Sequence, residues 1–409
     1  MNIVIINQHA GNHGDEAAGK GLVRGIKEKI DFDKNKISII YNKDTLSSLE
    51  KIVQDNVEHI PGTILNKLEK TIAMLSFILP FFLVKLLIKL SPILNNEFKI
   101  FKQADKIINA PGGVNIGPYK DWRYLWRLYI SVKLKKDVAI YSISFGPLPS
   151  NFIFNRISKY ILKNVKFLSI RDNKSQKFAD DLGLDYIKSI DTAFLGYDNV
   201  DNMPNDISKL IKDDYVVIVP NEVQNWGGRN KWHHNFINCK TKDLDQLYID
   251  IINYILSINK KVYLLPQLYG AQNDITYFNY LKDIVKNENI IIIDEKYNSN
   301  IQQIIVKNAQ FLVGARYHSI IYAVNNKVPM LSLSYEHKMT NTLEILGLSK
   351  QNLDLPTLLK QKNNNVVKVL ANLFNDKNNC FNNEKSNIAS DIAKDTMIQL
   401  HEFLIEDQK

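Results

Sequence analysis

The chain has 409 residues, of which 45% are hydrophobic and 23% are charged, and this length predicts two domains rather than one. Its 17 glycines and 12 prolines exclude a collagen-like or low-complexity protein. The formal net charge of +9 indicates an anionic partner, and charge alone does not choose between an acidic metabolite, a nucleic acid and a membrane surface.

Cysteine content and the amino terminus bear on the compartment. Two cysteines, Cys239 and Cys380, are too few for a disulfide framework or a four-thiolate metal site, as is typical of a reducing cytoplasm. The amino-terminal "MNIVIINQ" lacks a basic region, and its apolar run is shorter than that of a signal peptide. We therefore predict a cytoplasmic protein.

The first half of the chain alternates short β-branched runs with helix-length segments. The predicted strands are "NIVIIN", "KISIIYN", "KIINAPGG", "VAIYSISFG" and "FLSIRD". This rhythm is typical of a parallel sheet built from strand–helix–strand units.

A second series of strands begins near residue 214. It comprises "DYVVIVPNE", "KVYLLPQ", "NIIIID", "QFLVGAR" and "VPMLSLSY". The intervening "GYDNVDNMPNDISKL" is rich in Asp, Asn and Gly, as linkers are. The sequence therefore predicts two Rossmann-like, doubly wound α/β domains, residues 1–200 and 214–354, facing each other across a cleft. Residues 355–409 are predicted to be helices interrupted by the polar loop "KNNCFNNEKSN".

The most apolar segment, "TIAMLSFILPFFLVKLLIKLSPIL" at residues 71–94, has two interpretations. Pro80 and Lys85 interrupt it, so it falls short of the roughly 20 consecutive apolar residues that a membrane-spanning helix needs. One interpretation is a buried helix pair of the first domain. The other is a patch that rests on the cytoplasmic face of the inner membrane, aided by the basic and aromatic "YKDWRYLWRLYISVKLKK" that follows.

The first motif follows the first predicted strand. In "NIVIINQHAGNHGDEAAGK" a glycine-containing turn leads to a helix that is predicted to begin near Asp15. Its N–H groups would lie at the carboxyl edge of the sheet, where ligands of open α/β sheets bind. The glycine spacing matches neither the dinucleotide fingerprint nor a Walker loop. We expect Asn12 and Asp15 to contact substrate, the alternative for Asp15 being the N-cap of the helix.

Two further motifs end strands of the first domain. "INAPGGVNIGP" places Gly112 and Gly113 after a strand, where paired glycines permit close approach of a ligand or of a neighbouring backbone. "SIRDNKS" places Arg171 and Asp172 at the end of a later strand, ahead of a helix that Ser175 enters. An exposed Arg171–Asp172 ion pair is the simpler interpretation of that motif.

The second domain carries the strongest candidate. In "FLVGARYHSII" a buried strand gives way to a buried helix, which places Arg316 and His318 at the strand's carboxyl end. Burying a guanidinium without a partner is costly, so we predict that a bound anion offsets the cost. Histidine titrates near neutrality, so His318 is a candidate acid, the alternative being a structural histidine.

Three more loops leave the same edge. "VPMLSLSYEHKM" delivers Tyr335 and Lys338, where a lysine suits a phosphate and a solvated loop is the alternative. "LPQLYGAQND" carries Gln267, and "PNEVQNWGGRNKWHHNF" carries Trp226. Tryptophans beside amides and arginines either stack on sugar rings or cover a domain interface.

Together these motifs resemble the polysaccharide pyruvyl transferase family. The resemblance rests on "NHGDEA", "NAPGG", "SIRDNKS", "DTAF" and, most specifically, "GARYHSIIYAVNNKVPMLSLSYEHK", which occur in family order. It implies a GT-B-like fold with the acceptor on the N-terminal domain. It also implies transfer of a carboxyethylidene group from phosphoenolpyruvate to a sugar of a cell-surface polysaccharide or of its lipid-linked precursor.

The resemblance also implies residue roles. Arg171 and Arg316 would bind the donor, and His318, beside Arg316, would be the catalytic acid, with Tyr317 taking part. Tyr335 and Lys338 fall on the family's Tyr-x-x-Lys pattern as "YEHK". Where the family often has Asp-Pro-Ala-Phe, this chain has Asp191 followed by Thr-Ala-Phe, which keeps the carboxylate but weakens any inference about its backbone geometry.

The implied reaction leaves several roles open. Candidates for the base that accepts the sugar hydroxyl's proton are Asp15, His13 and Asp172, all expected in the domain that faces His318. The partners would be phosphoenolpyruvate and a sugar acceptor such as an undecaprenyl-linked oligosaccharide, and the scheme needs no metal or cofactor. We expect no nucleic-acid partner, because the basic residues are scattered and no nucleic-acid signature occurs. The alternatives are a GT-B-type glycosyltransferase that uses a nucleotide sugar and a non-catalytic anion- or glycan-binding protein.

Overall fold

The computed structural model describes residues 1–31, 33–42, 57–223, 239–270, 273–361, 365–376 and 383–406. The chain forms two compact units. Unit 1 comprises Met1–Ala10, Ala18–Leu195 and Ile392–Lys409, and unit 2 comprises Gly11–Ala17 and Gly196–Asp391. These units divide the chain differently from the predicted domain bounds, because residues 11–17 join unit 2 and the last residues join unit 1.

Unit 1 is built on a seven-stranded sheet whose strands are all parallel. The strands are β1 (Asn2–Gln8), β2 (Lys36–Tyr41), β3 (Val57–Ile60), β4 (Lys106–Asn109), β5 (Asp137–Ile143), β6 (Phe167–Ile170) and β7 (Ile187–Lys188). They lie in the order β3-β2-β1-β4-β5-β6-β7. The order reverses between β1 and β4, which is where ligands of such sheets bind.

Helices cover both faces of this sheet. They are α1 (His13–Lys27), α2 (Lys67–Leu75), α3 (Phe81–Ile88), α4 (Pro92–Gln103), α5 (Trp122–Lys133), α6 (Phe152–Asn164) and α7 (Asn173–Asp181), followed by a 3₁₀ turn at Thr192–Leu195. Along β1, Val4 and Ile6 lie in one hydrophobic cluster while Ile3 and Ile5 lie in the other. Alternate side chains therefore serve opposite faces, and both faces are buried, as in other parallel sheets.

Unit 2 repeats the architecture with six parallel strands. They are β8 (Tyr215–Val219), β9 (Lys261–Leu264), β10 (Ile290–Ile292), β11 (Phe311–Gly314), β12 (Met330–Ser334) and β13 (Asn352–Asp354), in the order β10-β9-β8-β11-β12-β13. Its order reverses between β8 and β11. The predicted pair of Rossmann-like, doubly wound sheets is therefore confirmed.

The helices of the second half complete the fold. They are α8 (Asn205–Leu210), α9 (Thr241–Ser257), α10 (Ile275–Val285), α11 (Ser299–Lys307), α12 (Tyr317–Asn325), α13 (His337–Ile345), α14 (Leu355–Gln361), α15 (Asn365–Asn375) and α16 (Asn383–Ile405), with a 3₁₀ turn at Ser349–Gln351. Part of the predicted linker is helical, since α8 starts after the N-cap Pro204. The polar loop predicted in the C-terminal segment is helical from Asn383 onward.

The end of α16 packs beneath the sheet of unit 1. Leu400 and Leu404 are buried, and the Phe403 ring lies 5.8 Å from that of Phe167. His401 Nε2 lies 2.8 Å from the carbonyl oxygen of Gly25 in α1. These contacts explain why residues 392–409 belong to unit 1 although the chain reaches them after unit 2.

The apolar segment at residues 71–94 contributes to three short helices. α2 ends at Leu75, α3 follows the N-cap Pro80, and α4 follows Ser91, whose side-chain oxygen accepts a hydrogen bond from the Leu94 N–H at 3.1 Å. One face is buried, as predicted for core helices, and the other is exposed. Within the described ranges, no helix is long and apolar enough to cross a membrane.

Candidate active site

A buried asparagine links the two strands on either side of the strand-order reversal in unit 2. Asn221 follows β8, and its Nδ2 donates to the carbonyl oxygen of Ala315 at 3.0 Å, just beyond β11. Its backbone N–H donates to the Tyr248 hydroxyl at 3.0 Å. The two neighbouring strands are thus tied together at their carboxyl ends, and the chain from Ala315 to His318 leaves the sheet where ligands of this fold bind.

Arg316 has a carboxylate partner within unit 2. The guanidinium pairs with Asp274 Oδ1, and both side chains are buried. Asp274 Oδ2 accepts hydrogen bonds from the backbone N–H groups of Gln267 and Leu268 at 2.9 and 2.8 Å. The prediction that Arg316 needs a bound anion to offset its burial is therefore wrong, because an internal carboxylate serves that purpose.

His318 is the second residue of α12 and lies against the amino-terminal turn of α1. A Cβ at Gly14 would collide with Nδ1, Cγ and Cβ of His318, so only glycine allows this approach. On another side, the imidazole makes an edge contact with the Tyr317 ring at a centroid separation of 5.1 Å. The ring is therefore held between a helix backbone and an aromatic side chain.

The turn at residues 11–17 is anchored to unit 2 by main-chain and side-chain bonds. The His13 N–H donates to the Gln267 carbonyl at 2.9 Å, and the Tyr269 N–H donates to the Gly11 carbonyl at 3.2 Å. The Tyr322 hydroxyl donates to the His13 carbonyl at 2.9 Å. His13 and Asp15 thus lie in the same unit as His318, and their predicted place in the opposite domain is wrong.

Helix α1 also begins earlier than predicted. It starts at His13, and Asn12 Oδ1 accepts a hydrogen bond from the Gly14 N–H at 2.8 Å. Asn12 is therefore the capping residue, and Asp15 lies half-buried in the first turn. A carboxylate there is favoured by the helix dipole.

His13 is fully buried and engaged on both sides. Its Nε2 lies 3.0 Å from the Glu295 carbonyl oxygen, which can only accept, so Nε2 carries a proton. Its Nδ1 lies 2.9 Å from Glu16 Oε2, and Glu16 Oε1 accepts from the Ser299 N–H and hydroxyl at 3.2 and 3.1 Å. These bonds indicate a structural role for His13 rather than that of a base.

Residues after β12 lie next to Tyr317, in the segment that contains Arg316 and His318. Lys338 Nζ lies 5.4 Å from the centroid of the Tyr317 ring and 3.2 Å from Glu336 Oε2. The Tyr317 hydroxyl lies 3.2 Å from Thr342 Oγ1, and Tyr335 is buried where β12 ends. The Tyr-x-x-Lys segment and the Arg-Tyr-His segment are thus adjacent, as the sheet order requires.

The sheet of unit 1 reverses its strand order at a matching pair of asparagines. Asn7, with φ of 64°, donates from Nδ2 to Asn109 Oδ1 at 2.9 Å. Beyond them His9 Nε2 lies 2.9 Å from Asn115 Nδ2. We did not single out His9 from the sequence, although its position just after β1 is the signal that could have identified it.

The paired glycines lie beside this edge. The Gly112 carbonyl accepts from the Ser144 N–H at 3.2 Å. Added Cβ atoms would lie 3.6 Å from the His9 ring at Gly112 and 3.7 Å from the Tyr119 ring at Gly113, which are ordinary contacts. No neighbouring backbone within the described residues therefore requires glycine at either position.

Arg171 pairs with Asp191 rather than with Asp172. Arg171 and Asp191 are buried and ion-paired, and Arg171 Nε donates to Ser144 Oγ at 3.2 Å. Asp172 caps α7, accepting from the N–H and hydroxyl of Ser175 at 2.9 and 2.7 Å. The predicted exposed Arg171–Asp172 pair is therefore wrong, and the cap leaves Asp172 poorly suited to act as a base.

The turn after Asp191 has a threonine, Thr192, rather than a proline. Asp191 Oδ1 accepts from the Ala193 N–H at 2.9 Å, which fixes the 3₁₀ turn. Thr192 Oγ1 donates to the carbonyl oxygen of Ala18 at 2.7 Å, a bond that a proline could not make. The turn thus contacts α1 through a side-chain hydroxyl.

Two further predictions concern Trp226 and metal binding. Trp226, a predicted substrate contact, lies outside the described residues. Within the residues that the structure describes, no group of three His, Cys, Asp or Glu side chains could hold a metal ion.

Two doubly wound parallel sheets of this order place the chain in the GT-B-like fold class. The UDP-GlcNAc 2-epimerase of Methanocaldococcus jannaschii is similar at a TM-score of 0.61 and 15% identity, covering 98% of this chain and 99% of that one. The Neisseria meningitidis enzyme of the same name is similar at a TM-score of 0.58 and 7% identity over 100% of both chains. At these identities the likeness shows the fold alone.

The sequence itself shows the family. The chain matches the polysaccharide pyruvyl transferase family over residues 12–337 and therefore belongs to that family. It is also 22% identical over 389 residues to the amylovoran biosynthesis protein AmsJ of Erwinia amylovora, covering 88% of this chain and 89% of AmsJ. Membership makes the chain a transferase of polysaccharide biosynthesis, whose acceptor is a sugar.

Proposed function

We propose that the chain transfers a carboxyethylidene group from phosphoenolpyruvate to a sugar of a cell-surface polysaccharide or of an undecaprenyl-linked precursor, releasing phosphate. The family supports a transferase that acts on polysaccharide. The observation that carries the assignment is His318, held by Gly14 and Tyr317 at the strand-order reversal of unit 2. A cytoplasmic location remains a prediction from the sequence.

The reaction defines what the site must do. Two sugar hydroxyls attack the central carbon of the donor, so two C–O bonds form and the C–O bond to phosphate breaks. The donor's methylene carbon gains one proton and becomes a methyl group, and the second hydroxyl proton leaves with phosphate. Donation to the methylene carbon requires a positioned acid, and general acid catalysis of this kind is commonly worth ~10²–10⁴ in rate.

His318 is suited to this proton transfer. Its imidazole is buried and fixed, so a donor bound beside it would meet the ring in one orientation. It lies at the amino terminus of α12, where helix N–H groups and the helix dipole favour an anion such as the donor's phosphate.

Arg316 would bind the donor as an oriented cation. Asp274, which accepts hydrogen bonds from the Gln267 and Leu268 N–H groups, holds its guanidinium in place. A guanidinium has five N–H donors, so pairing with Asp274 at one nitrogen does not preclude binding a carboxylate or phosphate. Lys338, beside Tyr317, would add a second cation on the same edge.

Asp15 is a candidate for the base because of its position. Of the other two candidates, His13 is bonded to Glu16 and Glu295, and Asp172 caps α7 through Ser175. Asp15 is half-buried one residue from Gly14, which contacts His318. An acid and a base within one unit would act on the donor carbon and on the attacking hydroxyl.

The test separates binding from chemistry. His318→Asn should bind phosphoenolpyruvate with an affinity close to that of the wild type in a calorimetric titration and should lose turnover by at least about a hundredfold. His401→Asn, which changes a buried histidine of unit 1, is the matched control and should keep turnover. Unchanged turnover in His318→Asn would remove this residue from the mechanism.

A nucleotide-sugar glycosyltransferase is the second candidate, because the chain shares its fold with two enzymes that are called UDP-GlcNAc 2-epimerase. Titration of the same protein with UDP-GlcNAc distinguishes the two functions. Binding of UDP-GlcNAc without binding of phosphoenolpyruvate would favour the glycosyltransferase.

A further inference from the structure

Helix α3 of unit 1 is apolar on both its inner and its outer face. Val84 and Ile88 are fully buried, whereas Phe82 is 66%, Leu86 is 56% and Leu90, just beyond the helix, is 63% exposed. At 3.6 residues per turn, the exposed three fall on one stripe, opposite the buried pair. A surface helix of a water-soluble protein would carry polar residues on that stripe.

The segment around α3 exposes further apolar side chains. Further large hydrophobic side chains are exposed between residues 64 and 90: Ile64, Leu68, Ile78 and Leu83. Single exposed leucines are ordinary, but this concentration within one helical segment is typical of an interaction surface.

The exposed charges of the same segment are all positive. The exposed ionisable residues from 64 to 90 are Lys67, Lys70, Lys85 and Lys89. The segment's one acid, Glu69, is buried in unit 1, as is Glu97 of the following helix. Glu69 caps α2 and accepts from Ser91, and Glu97 pairs with arginines of α5. The outer surface therefore combines apolar side chains with exposed cations and carries no exposed acid between residues 64 and 90.

We propose that α3 and its flanking residues, Ile64 to Leu90, form a docking surface for an anionic lipid bilayer. Phe82, Leu86 and Leu90 would enter the boundary between headgroups and acyl chains, and Lys85 and Lys89, adjoining the stripe, would contact the phosphates. Because α3 has eight residues, about 12 Å at 1.5 Å per residue, against a hydrocarbon core of about 30 Å, the contact would lie along the bilayer surface. This inference does not depend on the proposed reaction.

Charge selects the bilayer over a second copy of the chain. A two-fold symmetric dimer brings the same patch of both copies together, so the exposed lysines of both copies would lie in one interface with no exposed acid of the patch to pair with them. Like charges held close are unfavourable, whereas anionic headgroups complement them.

The test is co-sedimentation of the full chain with vesicles of phosphatidylcholine alone and with added phosphatidylglycerol. The wild type should sediment with the anionic vesicles and do so less at high salt. Phe82→Ser with Leu86→Ser should weaken binding by about tenfold or more, since two apolar side chains lose their insertion. Lys85→Glu with Lys89→Glu should abolish the preference for phosphatidylglycerol.

Matched controls use the same changes elsewhere. Ile284 and Ile398 are also exposed, and Ile284→Ser with Ile398→Ser should bind vesicles like the wild type. Lys282→Glu with Lys286→Glu, an equally spaced pair at the end of α10, should keep the preference for anionic lipid. Equal loss in these controls, or no sedimentation of the wild type, would overturn the proposal. So would a dimer in sedimentation velocity that Phe82→Ser with Leu86→Ser dissociates, without vesicle binding.

Discussion

At the scale of single residues, the contact between Gly14 and His318 leaves no room for a side chain at residue 14. Any side chain at residue 14 would overlap the imidazole. We predict that Gly14→Ala lowers the free energy of unfolding by about 1–3 kcal/mol, the usual cost of overpacking a filled site. A double-mutant cycle in urea checks this, because His318→Ala removes two of the three overlapping atoms, Nδ1 and Cγ, and should recover part of the loss.

The cycle can also contradict the structure. If Gly14→Ala costs the same in the His318→Ala background, the two residues do not share the overlap, and the arrangement of α1 against α12 is wrong. Turnover plays no part in this measurement, so the result holds whether or not His318 is the acid.

The Arg171–Asp191 pair makes a second prediction at this scale. Asp191→Ala would leave a buried guanidinium without its carboxylate, so we expect a loss of about 3–5 kcal/mol in unfolding free energy. Asp180→Ala, at an exposed position on α7, is the control and should cost less than about 1 kcal/mol. A comparably small cost for Asp191→Ala would show that another group balances Arg171.

Residue identities were easier to predict than residue partners. The switch from a buried strand to a buried helix located Arg316 and His318 correctly at a strand's end. The partners of Arg316 and Arg171 are 42 and 20 positions away in the sequence, and only the folded sheets bring them close. For that reason the sequence suggested an unpaired arginine and an exposed ion pair where the structure has two buried ion pairs.

At the scale of elements, a buried charge cluster joins α4 and α5 to the sheet of unit 1. Arg127 donates to both oxygens of Glu97 at 3.0 and 2.8 Å, and to the carbonyl oxygen of Tyr41 at 3.0 Å. Arg123 also pairs with Glu97, at 2.7 Å, and burial lowers the pKa of Arg123 to about 10. Helix α4, which follows the proposed docking surface in the chain, is thus fixed to the core by charge as well as by packing.

This cluster predicts a pH dependence. Burial raises the pKa of Glu97, but the nearby guanidinium groups of Arg127 and Arg123 lower it more, so it lies below the ordinary 4.5. Its carboxylate therefore stabilises the fold above pH 4.5, and the contribution is lost as pH falls through the folded-state pKa. We expect the difference in Tm between wild type and Glu97→Gln to be largest near neutrality and to shrink in acid.

The exposed Glu402 supplies the control for that measurement. Glu402→Gln should change Tm little at any pH, because this side chain is exposed on α16. A Glu97→Gln difference that is constant from neutral to strongly acidic pH would contradict the buried ion pair.

The elements that the sequence did not reveal are short and lie at sheet edges. β7 has two residues, β13 reads "NLD", and β3 reads "VEHI" with no buried residue. Edge strands are covered on fewer sides than central ones, so they lack the continuous apolar runs that identified the buried strands.

At the scale of the whole molecule, composition and strand rhythm predicted two doubly wound sheets, and the structure confirms them. The boundaries of the units are harder to predict, because α1 contributes residues 13–17 to unit 2 and α16 contributes its last residues to unit 1. Neither exchange changes the local helix pattern, so no signal in the sequence marks it.

Fold and family answer different questions about the whole chain. The likeness to epimerases at 15% and 7% identity shows an architecture that serves many reactions. The family match limits the reaction class, and its range, residues 12–337, includes the positions of His318, Arg316 and Arg171. The acceptor sugar has no such motif, so the sequence does not identify it.

The most direct measurement is a mass-spectrometric assay of the purified full chain with phosphoenolpyruvate and a panel of hexoses and lipid-linked sugars. We predict one product that is heavier by a carboxyethylidene group, phosphate released in equal amount, and neither in His318→Asn. Transfer of a hexose from a nucleotide sugar to the same panel, with no phosphate released from phosphoenolpyruvate, would contradict the proposed function.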